Sequence, residues 1–273
     1  MEKKECIKRL TDMLVPYGFH RKGNRFMRLY EGEIFQNIYF EYDPAFRYSD
    51  GYEGNGYFFY VRIGSIFQKV FVGPALDMWL YHFGLEWLPN YYEGYHLSAV
   101  APERIYEVDF IKQDEEAQLD IIEKTCLPIL NSTYTTAQLL HLYEWLIIHE
   151  FGKDGYSRVK YRYYDNMIVC LLCDRQYEKA IPYCEDWIRY INEEKTRYYA
   201  DRLPNTNIYD GWKEKQWNEE IETYEQVLKW LREGNTDAIK AWLNTNRKDN
   251  LQMLANYWPK RALKELQIFS NDV

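Results

Sequence analysis

Several groups of residues have types and spacings that could do chemistry. Cys170 and Cys173 form a CxxC, with Cys184 eleven residues on. A zinc site needs four ligands from suitable elements, and a redox CxxC opens a helix, where a thiolate is stabilised. This pair instead closes an apolar helical run, and the nearest histidines are His141 and His149. The thiols are therefore expected to be buried and structural. His141, Glu144, His149 and Glu150 fall on one predicted helix, but HxxE followed by HE is not HExxH and brings no third ligand. Structural or surface roles are expected for them. Gly51-Tyr52-Glu53-Gly54-Asn55-Gly56 is glycine-rich, yet a phosphate cradle needs a strand before it and a helix after it. Here a strand follows, and Asp50 and Glu53 add negative charge. G-x-S-x-G and G-x-x-x-x-G-K-[ST] are both absent. No catalytic residue, metal or cofactor is expected.

Charge is distributed unevenly. The net charge is −8, yet Gly18–Arg28 (GFHRKGNRFMR) carries Arg21, Lys22, Arg25 and Arg28 and no acid. That segment is +4, so the rest of the chain sums to −12. Strand alternation would place Arg25 and Arg28 on opposite faces, with His20 to Lys22 on a connector, so a single anion cradle is disfavoured. Residues 103–123 hold eight acids against Arg104 and Lys112. This run reads either as a solvated helix start or as an acidic face for a basic partner. Pairing between it and the basic segment is the plain alternative to a functional role for either.

The elements that position these groups follow from periodicity. Ile7, Leu10 and Leu14, with Cys6 and Met13, make residues 3–15 an amphipathic helix, stopped by Pro16 and Gly18. A hairpin follows, Arg25–Tyr30 and Ile34–Tyr42 across Glu31-Gly32-Glu33. Asp43–Gly56 reads as a loop and Tyr57–Ile66 as a third strand. A short helix is predicted over 74–88, with edge strands or irregular cover over 89–110. After Gln113 the period is helical. Leu119, Ile122, Cys126 and Ile129 share a face that should kink at Pro128. Thr135 or Thr136 caps a helix bearing Leu139, Leu140, Tyr143, Leu146 and Ile147, ended by Gly152. Helices over 158–173 and 176–192 are joined by Asp174-Arg175 and must be antiparallel neighbours. Asp201–Gly211 reads as a loop, followed by helices over 213–232, 236–244 and 249–257. Ala180 and Ala238 sit at matching places in two helical hairpins 58 residues apart. The first resembles the helix pair of a tetratricopeptide repeat. A regular array would repeat about every 34 residues, so a degenerate helical bundle is expected.

The segment LVPYGFHRKGNRFMRL, then FQNIYFEYD, then YFFYVRIG, resembles the bacterial family catalogued as domain of unknown function 4304. The resemblance rests on Gly18, Phe19, Arg21, Lys22, Gly23, Phe26, Arg28, Gln36, Asn37 and Gly64 and covers about the first 110 residues. Trp79 and Trp87 stand loosely where a Trp-rich stretch is expected. The family implies no established reaction. By analogy, small acidic bacterial proteins of this sort include toxin-neutralising immunity proteins.

The expected class is α+β: an N-terminal helix packed on a small antiparallel sheet over residues 1–110, then an all-helical bundle with degenerate tetratricopeptide-like hairpins over 111–273. No run approaches about 18 apolar residues, so no membrane span is expected. The start MEKKECIKRL lacks a signal-peptide core. A cytoplasmic location with reduced cysteines is expected. Aromatic residues make up 18% of the chain, enough to serve both a core and a recognition surface. The expected function is non-catalytic protein binding, with toxin neutralisation as its specific form. The candidate contacts are Arg21, Lys22, Arg25, Tyr39, Tyr42 and Arg62. The alternative is an enzyme or small-anion binder using a cleft between sheet and bundle. Nucleic-acid contact through the basic segment is disfavoured by the global charge.

Overall fold

The computed structural model describes residues 2–47, 53–69, 119–120, 122–151, 163–200 and 208–266. Helix α1 (Lys3–Leu14) buries Cys6, Leu10 and Leu14 on one stripe. Its apolar spacing of four puts these side chains one above another. A 3₁₀ turn, Val15–Tyr17, carries Pro16, and Gly18 closes it at φ 82°, a left-handed conformation that costs glycine little. Four strands follow: β1 (His20–Lys22), β2 (Arg25–Tyr30), β3 (Ile34–Arg47) and β4 (Glu53–Ser65). They form one antiparallel sheet in the order β1-β2-β3-β4.

Two features of the sheet correct the sequence reading. His20 to Lys22 are not a connector but an edge strand, paired to β2 through His20 with Met27 and Lys22 with Arg25. Three basic or titratable side chains on so short an edge discourage another strand from adding. The loop expected at 43–56 is shorter, because β3 runs to Arg47 and β4 starts at Glu53. Their pairing resumes at Phe46 opposite Gly54 after an irregularity between Asp43 and Phe46. Gly and Asp in this stretch signalled a loop, while backbone pairing across a bulge accommodates them.

A π turn, Ile122–Cys126, leads into α2 (Leu127–Ser132), with Pro128 in the first turn of α2. The widened turn lies where a kink was expected. Leu119, Ile122, Cys126 and Ile129 are all buried. Helix α3 (Thr136–Phe151) opens on a capping box. Gln138 N–H donates to Thr135 Oγ1 at 3.3 Å, and Thr135 N–H donates to Gln138 Oε1 at 3.1 Å. Then come α4 (Tyr164–Cys173), α5 (Tyr177–Ala200), α6 (Ile208–Glu233), α7 (Thr236–Tyr257) and a 3₁₀ turn, Lys260–Ala262. The expected break near 245–248 is absent. Asn246 and Asn250 there are buried, and both donate to carbonyls of residues 66–68. Asn246, which fell in the expected break, and Asn250, in the expected last helix, thus lie on one face by which α7 grips the residues after β4. The predictions for 74–88 and 89–110, most of the acidic run, Gly152 and the 110/111 boundary lie outside the described residues.

The turns after α4 and α6 share one backbone solution. Gln176 N–H donates to Leu171 O and Arg175 N–H to Leu172 O; Asn235 N–H donates to Trp230 O and Gly234 N–H to Leu231 O. Both are Schellman closures with a left-handed residue, Gly234 at φ 65° and Arg175 at φ 59°. Arg175 carries the Cβ penalty that Gly234 avoids. Arg175→Gly is expected to raise stability by about 0.5–1 kcal/mol, read as an increased urea midpoint.

The sheet is covered on both faces. Phe26, Ile38, Phe40, Val61 and Ile63 join Cys6, Leu10, Leu14 and the helices α2 to α6 in one large apolar cluster. Met27 and Phe35, one residue out of phase, pack instead with Leu251, Leu254, Trp258, Ala262 and Leu266. This alternation is the period-2 pattern of a strand buried twice over. The sheet therefore shares its main core with the helical part, and its second face lies under the C-terminal helix.

Candidate functional site

The residues expected to make contacts are largely engaged within the fold. Lys22 Nζ donates to Asn256 O at 2.7 Å and Trp258 O at 3.4 Å, so it caps the end of α7. Arg25 lies over Tyr39 at 5.0 Å and Tyr257 at 5.6 Å, between the sheet and α7. His20 Nε2 meets Glu265 Oε2 at 2.6 Å and its ring lies 5.5 Å from Trp258. Arg21 Nε donates to Gly23 O at 3.0 Å. Tyr42 pairs with Tyr57, and Arg62 with Asn37, as strand positions. Lys22, Arg25 and His20 meet residues of the C-terminal helix and the turns after it, while most of the acidic stretch with which pairing was expected lies outside the described residues. Lys22 and Arg25, with Tyr39 beneath Arg25, thus help hold the second layer in place, while among the described residues Arg21 bonds only within its own turn.

Arg28 departs from this group. Alternation turns it to the opposite face, where it is 6% exposed. Its Nε donates to Gln36 Oε1 at 3.1 Å, and Nη2 donates to the same oxygen. Nη1 donates to Tyr17 O at 2.7 Å and to Asn131 Oδ1 at 3.0 Å. The guanidinium lies over Phe19 at 4.4 Å and Tyr30 at 4.6 Å. Gln36, fully buried, donates in turn to Leu130 O at 2.7 Å and Thr133 O at 2.9 Å. Burial lowers the Arg28 pKa to about 10, so it stays charged at neutral pH. One side chain therefore ties the turn after α1, the sheet and the end of α2 together through neutral acceptors.

An aromatic rim surrounds this hub. Val15 (41% exposed), Tyr17 (49%) and Tyr134 (38%) are three of the four large apolar side chains exposed among the described residues. Val15 and Tyr17 share the 3₁₀ turn whose carbonyl Arg28 holds. Tyr134 packs on Tyr30 with ring centres 5.5 Å apart, and its N–H donates to Gln138 Oε1. Each ring is thus carried by backbone that the hub or the α3 cap fixes. An apolar cluster preorganised in this way suits macromolecular contact.

A second cluster lies where β4 ends against the bundle. Gln68 Nε2 donates to Asp165 Oδ2 at 2.7 Å, and Asn166 donates from its N–H and Nδ2 to Asp165 Oδ1. Glu220, on α6, is 8% exposed and accepts from Gln216 Nε2 at 3.0 Å. Burial pushes its carboxyl up to about 7; the Gln216 bond opposes this and Asp165 adds to it. Burial therefore favours the protonated form of Glu220, and the charge of the hydrogen-bonded Asp165 adds to this. Among the described residues no three His, Cys, Asp or Glu converge as a metal group, and no helix is long and apolar enough to cross a membrane.

The thiols are buried as expected except Cys173, which is half-buried. Cys170 and Cys184 are fully buried and unpaired as disulfides. Burial pushes Cys126 and Cys184 up to about 12 and raises Cys170 and Cys173 well above the ordinary thiol value. A thiol held that high is a poor nucleophile at neutral pH. Ellman's reagent is expected to label none of Cys126, Cys170, Cys173 and Cys184 in the native chain within minutes, and all of them in urea.

The Arg28–Gln36 hub and its rim were not assembled by sequence reasoning. Their members come from separate elements; the strand alternation of Arg28 against Arg25, and the resemblance that groups Gly18, Phe19, Arg28 and Gln36, were the signals that pointed that way. No family model matches the chain, and no curated protein or solved structure matches it.

Proposed function

We propose that this chain is a non-catalytic protein-binding module whose contact face is the rim of Val15, Tyr17, Tyr30 and Tyr134. The observation that carries the reading is that two exposed tyrosines are tied to one buried arginine, Tyr17 through its carbonyl and Tyr134 through the Tyr30 ring. Tyrosines with few rotamers on rigid backbone are typical binding anchors. The net charge of −8 favours a basic partner, and toxin neutralisation is the specific form this suggests. The resemblance to domain of unknown function 4304 is kept within the same proposal. Its positions Gly18, Phe19, Arg28 and Gln36 build the floor of the rim.

Affinity capture from the native host tests this. A stoichiometric partner is expected with the wild type. Tyr17→Ala with Tyr134→Ala should weaken the purified complex by roughly a hundredfold or more, since each anchor contributes on the order of 2 kcal/mol. Arg21→Glu should leave binding unchanged. Full capture by the double variant would remove the rim from the site, and no partner at mild salt would remove the reading.

The Glu220–Asp165 pair supports a second reading, a small-molecule or acid–base site in the seam between sheet and bundle. It predicts that some metabolite in a thermal-shift screen stabilises the wild type and not Glu220→Gln. A screen in which both respond alike would sink it.

A further inference from the structure

Tyr198 and Tyr199, near the end of α5, meet Trp217 on α6. The three rings pack pairwise at steep angles, 79° between Tyr198 and Tyr199 and 72° between each tyrosine and Trp217, with centres 5.2–6.4 Å apart. The corner between Tyr198 and Trp217 already holds a cation. Lys213 Nζ sits 4.4 Å from the Tyr198 centre and 5.5 Å from that of Trp217. Tyr199 is 40% exposed, and Lys213, Tyr198 and Trp217 are partly exposed. Solvent therefore reaches the corner.

Two electron-rich faces at a steep angle, open to water, form the recognition geometry for ammonium ions that carry methyl groups. A primary ammonium is strongly hydrated and gives up water reluctantly. A methylated ammonium is weakly hydrated and presents an apolar, charged surface to both rings. Lys213 is on a long flexible stem four residues before Trp217, and it can swing its head into solvent while the stem stays on the helix. We propose that the Tyr198–Trp217 corner, rimmed by Tyr199, is a binding site for small methylated ammonium compounds, with Lys213 as a displaceable occupant. The site is built from α5 and α6, which contribute nothing to the Tyr17–Tyr134 rim, and it stands or falls independently of that reading.

The test uses the full chain, labelled with nitrogen-15 and titrated with tetramethylammonium chloride against potassium chloride at matched ionic strength. The indole N–H signal of Trp217 is identified by its loss in Trp217→Phe. The other eight tryptophans act as internal controls. Saturable movement of the Trp217 signal is expected, with choline chloride acting likewise. In Lys213→Ala, where the resident cation is gone, the midpoint should fall at least fivefold. The proposal is overturned if the wild-type Trp217 signal does not saturate, if all the indole signals move together, or if Lys213→Ala leaves the midpoint unchanged.

Discussion

Arg28→Ala is expected to destabilise the chain by about 3–5 kcal/mol, the largest effect of any single substitution proposed for it. The cost is not a lost ion pair, since the guanidinium donates to Gln36 Oε1, Tyr17 O and Asn131 Oδ1. Removing the guanidinium leaves these buried or partly buried acceptors without their donor and opens space under Phe19 and Tyr30. It also frees the 3₁₀ turn that carries Tyr17. Arg28→Lys should recover little, because one ammonium cannot span the two directions that the planar fork serves. Urea unfolding of the three proteins measures this. A loss under about 1 kcal/mol for Arg28→Ala would show that the hub is not what binds these elements.

Glu220→Gln is expected to stabilise the chain at alkaline pH and to leave it unchanged in acid. Below pH 4.5 the Glu220 carboxyl is protonated in both folded and unfolded chains and contributes nothing. Between 4.5 and about 7 the unfolded chain releases the proton while the folded chain keeps it. The folded state then binds more protons, so wild-type stability falls as pH rises. Above about 7 both states are ionised and the full cost is present, on the order of 3 kcal/mol at about 1.4 kcal/mol per pH unit. Glutamine removes the ionisation and so gains that amount at pH 8. Urea midpoints from pH 4 to 9 should converge in acid and diverge above neutrality. Parallel curves would mean that Glu220 does not carry the buried charge.

Much of the local structure was legible because its causes are local. The stripe of Cys6, Leu10 and Leu14 specifies α1, and Pro16 with Gly18 ends it. Thr135 or Thr136 announces the start of α3, and Asp174-Arg175 and Gly234-Asn235 set the two tight helix closures. The α+β class follows from the switch of hydrophobic period after the sheet. Alternation alone separated Arg25 from Arg28, which is the step that kept the basic segment from being one site.

What the sequence could not decide depends on which element covers which. Arg25 and Tyr39 were expected to make surface contacts, but α7 closes over Met27 and Phe35 and over Arg25 with Tyr39. His20 to Lys22 became a strand because β2 offered an unpaired edge, a partner that short-range pattern does not report. Asn246 fell in an expected break between helices because its acceptor lies just after β4, far away in the chain. The same holds for the rim: Tyr17 and Tyr134 are ordinary residues until Arg28 gathers the turn, the sheet and the end of α2 around itself. Sequence determined the elements, since periodicity and capping act over a few residues. Tertiary structure alone decided which charges were spent on the fold and which aromatic rings were left facing water, because burial is a property of the neighbours a residue meets.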